Sequence, residues 1–475
     1  MKKTLSKGKV WCFAIGQLGW SILSALISSW LVNYYQPDTA TVAQGHSVFV
    51  PQGAIFIGLT VVGLITAFGR VFDAVTDPLI ASASDRCKSK NGRRIPFMKW
   101  AAIPFGVVTA LVFFSPMQGN EGNAGLVNGL FLFAMVTLFY LFMTMYCTPY
   151  NALIAELGST QKVRMAISTT ISFTFIAGMA FAYLAPVIWG TLIGSGIERM
   201  LAIRITMGGL ALVGVACMFV PVFTIKETDY VEIHPSEDSA FRSLAATFRN
   251  REFRHFVVSD IVYFLGITMF QTALPFFVTS LLKMDESYST LFFVLLTALS
   301  LMFYPFVGKL TRRFGKKKPV LIAFGIFALS FSYAALMGDT LSFIPPLVQG
   351  VLLCLIASPA QALFGILPQA MVADIAESEE KTTGVNRSGM FFAARTFAMK
   401  MGQGAAMLLV TSLATIGTDT GLGYRLVALS AAGACIAGGL FLLMYNEKNI
   451  YDKLGLDRHG NRIEQSGGDA GEVKE

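Results

Sequence analysis

The chain has 475 residues, is 54% hydrophobic and only 14% charged, and contains 40 Phe at a mean hydropathy of +0.60. That much apolar surface cannot be covered by a water-soluble fold of this size, which leaves an all-α polytopic membrane protein. The net charge of +8 sits in short connections between apolar runs, so it reads as an orientation signal and not as a nucleic-acid footprint.

The basic start, residues 1–9, runs into a long apolar segment without a small-residue cleavage site and reads as a retained first span. Apolar runs near the spanning length of about 20 residues lie at 10–35, 54–83, 97–116, 126–154, 166–193 and 200–224. Six more lie at 255–283, 288–309, 319–337, 343–373, 388–415 and 423–445. This predicts twelve transmembrane helices: an N-terminal six-helix bundle over 1–225, a central cytoplasmic loop over 226–254, a C-terminal six-helix bundle over 255–445 and a polar, Gly-rich tail over 446–475 expected to be disordered.

The connections alternate in charge. Arg86, Lys88, Lys90, Arg93 and Arg94 follow the second run, Lys162 and Arg164 the fourth, Arg249, Arg251 and Arg254 the sixth, and Arg312, Arg313 and Lys316 to Lys318 the eighth. The stretches 36–53, 117–124 and 338–342 hold no Lys or Arg, with Arg199 and Lys283 as weak exceptions elsewhere. By the positive-inside rule both termini are expected in the cytoplasm, and the short loops suit a bacterial inner membrane. The six Cys are scattered and the four His lie far apart, so neither a disulfide framework nor a metal cluster is expected.

The two halves repeat. GRRIP at 92–96 matches GKKKP at 315–319, an offset of 223 residues, and ALIAEL at 152–157 matches AMVADI at 370–375, an offset of 218. Duplicated halves with a site between them are a transporter plan.

The second run carries Arg70, Asp73 and Asp77, at i, i+3 and i+7 on one helical face. An ionisable group at the bilayer centre costs about 2.5–3.5 kcal/mol even on lenient scales, so three on one span indicate function. Counting inward from Asp85, Asp77 lies about 12 Å deep and Asp73 about 18 Å, near the midplane. Two carboxylates one turn apart can ligate a small cation such as Na+ or share a proton; a structural ion pair with Arg70 is the plainer alternative. The eleventh run carries Arg395 and Lys400, about 12 and 20 Å in from Arg387. The matched depths predict Asp73 opposite Lys400 and Asp77 opposite Arg395, with the lysine competing with the cation; snorkelling to an interface is the alternative. Asp260, near the start of the seventh run, is read as shallow, in a helix-end structural role or a site role. Gln17, Trp20, Gln271 and Gln361 are groups that can bind sugar hydroxyls or simply pack. Asp85, Arg86, Arg93, Arg94, Glu156, Arg164, Asp374 and Arg387, with Arg312 and Arg313, are expected to form either a cytoplasmic gate of ion pairs or a solvated basic face.

The pattern RVFDAVTDPL at 70–79, the Asp85–Arg94 loop, MVADI at 371–375 and TFAMKMG at 396–402 resemble the glycoside–pentoside–hexuronide:cation symporters, the melibiose-permease-like branch of the major facilitator superfamily. The resemblance implies twelve helices, alternating access and Na+-, Li+- or H+-driven symport of a sugar or glycoside, with Asp73 and Asp77 as cation ligands and Lys400 and Thr396 beside the site. It implies no cofactor beyond the coupling ion, a small-molecule substrate, a lipid bilayer around a monomer and no nucleic acid. Where the family has further acidic residues this chain has Ser21 and Cys147, and where it has aromatic ones this chain has Asn151 and Gly365. Two negative charges lost and Arg395 gained suggest an anionic substrate such as a hexuronide. Two rival classes are a lysolipid or other amphiphile carrier on the same fold and an intramembrane prenyltransferase-type enzyme. The latter needs a second acidic cluster, for which Asp374, Glu377, Glu379 and Glu380 lie too near the cytoplasmic edge.

Overall fold

In hydrocarbon a helix satisfies each backbone N–H and C=O within its own segment, and the long apolar runs accordingly fold as helices. The computed structural model describes residues 5–55, 58–87, 89, 92–158, 161–230, 247–384 and 387–455. The elements are α1 (Lys7–Tyr35), α2 (Thr39–Ala43), α3 (Val61–Asp85), α4 (Ile95–Leu111), α5 (Gly122–Leu157), α6 (Gln161–Tyr183), α7 (Ala185–Gly194) and α8 (Arg199–Thr224). There follow α9 (Arg251–Phe276), α10 (Tyr288–Phe314), α11 (Lys317–Leu336), α12 (Pro346–Thr383), α13 (Ser388–Leu413), α14 (Leu422–Leu443) and α15 (Glu447–Leu454). Among the described residues, nine helical stretches are long and apolar enough to cross a membrane, and α4 is apolar but shorter. The helices α3 and α13 carry the buried charges. The fifth apolar run is two helices, parted at Leu184 ahead of Pro186.

The packing repeats as the sequence does. In the first half α1 lies on α6 and α8, α4 on α5 and α8, and α3 on α5. In the second half α9 lies on α13 and α14, α11 on α12 and α14, and α10 on α12. These are the same five pairings in the same order. Glycine permits the closest of them: a Cβ on Gly19 of α1 would fall 2.3 Å from the carbonyl oxygen of Gly214 on α8.

The repeated GRRIP and GKKKP runs have a structural reason. The Glu227 carboxylate, just beyond α8, accepts from the backbone N–H groups of Arg93, Arg94 and Ile95 at 2.8, 2.8 and 3.1 Å, capping α4. Glu447, just beyond α14, accepts from Lys316 and Lys317 N–H at 2.6 and 3.0 Å, capping α11. Each cap needs its glycine. Gly92 has φ +105° and a Cβ there would meet Glu227 Oε2 at 2.3 Å; Gly315 has φ +77° and would meet Glu447 Oε2 at 2.7 Å. Carboxylates at helix N-termini also gain from the helix dipole.

The expected disorder of the tail is corrected at its start. Residues Glu447–Leu454 form α15, with Ile450, Tyr451 and Leu454 buried and Lys381 Nζ donating to the Leu454 carbonyl at 2.9 Å. An apolar i, i+1, i+4 set in eight residues is too short a signal to stand out from a polar tail. Residues 456–475 lie outside the described residues.

Glu227→Ala strands three N–H donors, and at about 1.5–3 kcal/mol for a charged hydrogen bond it is expected to lower stability by about 3 kcal/mol or more. Thermal unfolding in detergent reads this, and Glu447→Ala should give a smaller loss because it strands two.

Candidate functional site

The helix α3 from the first half packs lengthwise on α13 from the second. Small residues bring them together: a Cβ on Gly63 would lie 2.2 Å from Thr411 Oγ1, and one on Gly404 would lie 3.5 Å from Arg70 Cβ. That register carries Lys400 to the α3 carboxylates. Its Nζ lies 2.9 Å from Asp73 Oδ2 and 2.5 Å from Asp77 Oδ2. Asp73 is fully buried and Lys400 is 6% exposed. From α5, Thr144 Oγ1 donates to Asp73 Oδ1 at 2.6 Å and Thr148 Oγ1 to Asp77 Oδ1 at 3.1 Å. One ammonium therefore sits between two carboxylates, each steadied by a hydroxyl. The two threonines were missed in the sequence. Their signal was present: hydroxyls at i, i+4 on one run mirror carboxylates at i, i+4 on another.

The predicted partner of Asp77 is corrected. Arg395 turns away from α3 and pairs within its own half with Asp260 on α9, Nε to Oδ2 at 2.8 Å and Nη2 to Oδ1 at 3.1 Å. Its guanidinium also lies over the Phe264 ring at 5.2 Å. Asp260 is 3% exposed and held in a bidentate pair, which fits the structural role. Lys400 reaches both α3 carboxylates because it alone of the two cations faces across the halves. The proposed ion pair between Arg70 and these aspartates is absent among the described residues; Arg70 instead lies over the Tyr140 ring at 5.1 Å.

The other predicted residues are dispersed. Gln17 Nε2 donates to Ser21 Oγ at 3.1 Å, and Ser21 donates to the Gln17 carbonyl at 2.6 Å, so this pair is self-satisfied. Trp20 is half-buried with its indole N–H unpartnered. Cys147 is half-buried on α5 within electrostatic reach of Asp73, Asp77 and Lys400, and Asn151 is exposed. Thr396 Oγ1 donates back to the Phe392 carbonyl at 3.0 Å, Gln361 is half-buried, and the Gln271 carbonyl accepts from Tyr183 at 3.3 Å. Gly365 is exposed near the Tyr304 hydroxyl.

Of the charges expected to form either a cytoplasmic gate or a solvated basic face, some pair within one half and others are exposed in this conformer. Arg93 and Arg94 reach Glu156 at 3.1 and 3.0 Å, and Arg94 also pairs with Asp85, all inside the first half. Lys316 pairs with Asp374 at 2.5 Å inside the second. None of these pairs crosses between halves. Arg86, Arg312, Arg313 and Arg387 are exposed, and the Arg164 side chain lies outside the described residues. The crossings are at the opposite end. Arg199 Nη2 meets Glu286 Oε2 at 2.8 Å, and Gln36 Nε2 donates to the Thr411 carbonyl at 2.7 Å. Asp38, the N-cap of α2, accepts from Thr279 at 2.5 Å and from Ser280, both on the π-turn Phe277–Leu281 after α9. Tyr183 stacks on Phe293 with centroids 3.7 Å apart, and its carbonyl accepts from Thr290. Sequence reading missed this end because its polar residues are single and far apart in the chain.

Paired bundles meeting at buried, mutually neutralised charges define a membrane transporter. The sequence profile of the MFS/sugar transport protein family matches residues 12–443, and the chain belongs to that family. It is 27% identical over 348 residues to the putative glycoside/cation symporter YagG of Escherichia coli K12, covering 72% of each chain. It is 22% identical to the glucuronide carrier protein homolog of the same organism, covering 85% of this chain and 82% of that one. A D-xylose–proton symporter structure shares the fold at TM-score 0.62 and 14% identity, covering 93% of this chain and 98% of that one. The chain is thus a transporter of sugars or glycosides in the inner membrane, and the enzyme alternative falls.

Asp260→Asn leaves Arg395 buried and unpaired, with an expected loss of about 3–5 kcal/mol. Adding Arg395→Gln should restore much of it, and a double-mutant cycle on thermal unfolding measures the coupling. Where Arg199 and Glu286 join the halves, burial raises the Glu286 carboxyl to about 7 against the pull of Arg199. The folded value stands above the unfolded 4.5, so this group's contribution to folding stability is fullest below about 4.5 and is lost as pH rises through about 7. Buried His46, lowered to about 4, acts in the opposite sense below 6.5. The difference in melting temperature between wild type and Glu286→Gln, followed over that window, is expected to shift steadily in favour of the variant as pH rises.

Proposed function

We propose that the chain is a cation-coupled symporter of a sugar or glycoside that works as a monomer by alternating access, with twelve spans and both termini cytoplasmic. The observation that carries this reading is Lys400 held between Asp73 and Asp77, across the two halves. An ammonium in that position occupies the seat of a monovalent cation and closes α13 onto α3. Arrival of Na+, or protonation of a carboxylate, weakens the hold on Lys400 and frees it toward the substrate. The halves are then no longer tied at mid-depth, which links ion binding to the conformational change. The duplicated packing supports two bodies that rock against each other. The contacts that cross between halves lie at the Gln36 and Glu286 end, which the charge pattern of the loops makes external. This conformer is accordingly closed outside, while the Glu156 and Asp374 clasps brace each half separately at the other end. A resident cofactor has no part in this scheme; the coupling ion is Na+ or H+.

Proteoliposomes loaded without substrate and given an inward Na+ or H+ gradient test the reading. Gradient-driven uptake is expected in wild type and should fall at least 100-fold in Asp73→Asn and Asp77→Asn, with folding checked by unchanged elution in detergent. Concentrative uptake by both variants would remove the carboxylates from the ion site. Lys400→Met should bind the ion more tightly, read as a larger ion-induced rise in melting temperature, while losing driven uptake.

A further inference from the structure

Each half sends one acid across the outer seam. Asp38 follows α1, and Glu286 follows α9 and its π-turn, so the two stand at like places in the repeat. Asp38 Oδ2 accepts from Thr279 at 2.5 Å and from Ser280, both on that π-turn in the other half. Its Oδ1 accepts from the Thr41 N–H at 2.8 Å. Glu286 Oε2 accepts from Arg199 Nη2 at 2.8 Å, at the start of α8 in the other half. The two latches are reciprocal, and both acids are buried. They differ in how well they are satisfied. Both oxygens of Asp38 hold hydrogen bonds, whereas Glu286 Oε1 is buried without a partner among the described residues.

The charges around Glu286 do not cancel. Burial opposes its ionised form most; Asp38 and the exposed Asp285 on its own turn add to this, and Arg199 works against them. Arg199 also donates to Gln44 Oε1 at 3.0 Å, so its charge is shared. His46 acts on Arg199 and Asp38 but brings no second positive charge near neutral pH, because burial lowers it to about 4. Lys283 is exposed and committed to Asp339 at 2.9 Å, and Tyr424 of α14 faces Asp38. With Glu286 ionised, the set Asp38, Glu286 and Arg199 carries one net negative charge in a place shut off from water; a proton on Glu286 brings it to zero. Parting the halves returns Glu286 to water and to an ordinary carboxylate affinity. A proton therefore binds the closed conformer more tightly than the open one, and by linkage a bound proton favours closure.

We propose that Glu286 is a proton-operated latch on the outer gate: a proton taken from the external medium holds the two halves closed, and its loss lets them part. The latch rests on the alternating-access reading, yet it is separate from the coupling ion. Glu286 lies in the turn before α10, outside the spans, and is not among the groups that act on Asp73. External acid thus restrains opening whichever ion drives transport.

Hydrogen–deuterium exchange of the full chain in detergent reads the gate without substrate or gradient. After correction for the intrinsic pH dependence of amide exchange, wild-type exchange across 36–46 and 277–290 is expected to rise about 10-fold or more between about pH 5 and pH 8. The rise should level off near the Glu286 value of about 7, with exchange across Ile95–Leu111, at the other end, unchanged. Glu286→Gln keeps an acceptor for Arg199 without the charge and should stay protected over the whole range. In Arg199→Gln the climb should continue above pH 7, since no cation then helps Glu286 to ionise. A level wild-type profile, a rise that survives Glu286→Gln, or a rise shared by Ile95–Leu111 overturns the latch. Gradient-driven uptake and its loss in Asp73→Asn and Asp77→Asn decide the symporter reading independently of that result.

Discussion

The rest of the structure depends on one contact, the Lys400 ammonium between Asp73 and Asp77. Each of these groups alone is expensive to bury, and removing one partner from such a set strands the others. Helices α3 and α13 come from different halves and have no covalent reason to stay together. Their glycines let them approach, but the charges set the register and depth. Thr144 and Thr148 on α5 fill the lone pairs that Lys400 leaves. The halves are asymmetric in this respect. The corresponding pairing of α10 with α6 touches far more lightly and is held by aromatic and hydroxyl contacts near Tyr183.

A second level of charge works inside each half. Glu227 and Glu447 cap helix N-termini through backbone N–H groups, and Glu156 and Asp374 hold the side chains of the same loops. The pairs occupy equivalent places in the repeat. They make each half a rigid unit at one end, while the contacts that join the halves sit at the other end and at mid-depth. Rigid bodies with separate joints are what a rocking motion needs.

Much of this was legible in the chain. Apolar run length located the helices, because hydrocarbon permits little else. The buried charges of α3 and α13 stood out because each is costly. Depth counting from the helix ends found the Asp73–Lys400 pair correctly, since rise per residue is fixed. It failed for Arg395, because depth says nothing about azimuth: Arg395 and Lys400 are five residues apart, more than 120° around the helix, and only one can face α3. The repeats at 92–96 and 315–319 were visible, but their glutamate partners were not, lying 130 or more residues away from the N–H groups they cap.

By itself the sequence determined the membrane class, the helix positions, the internal duplication and the presence of a charged site at mid-depth, because hydrophobicity, repeat and burial cost are local properties of the chain. The tertiary structure alone decided which charges neutralise each other, which end holds the halves together and that Arg70 lies over the Tyr140 ring instead of pairing with the aspartates of its own helix. Those outcomes depend on helix rotation and on contacts between residues far apart in sequence, which no local pattern encodes.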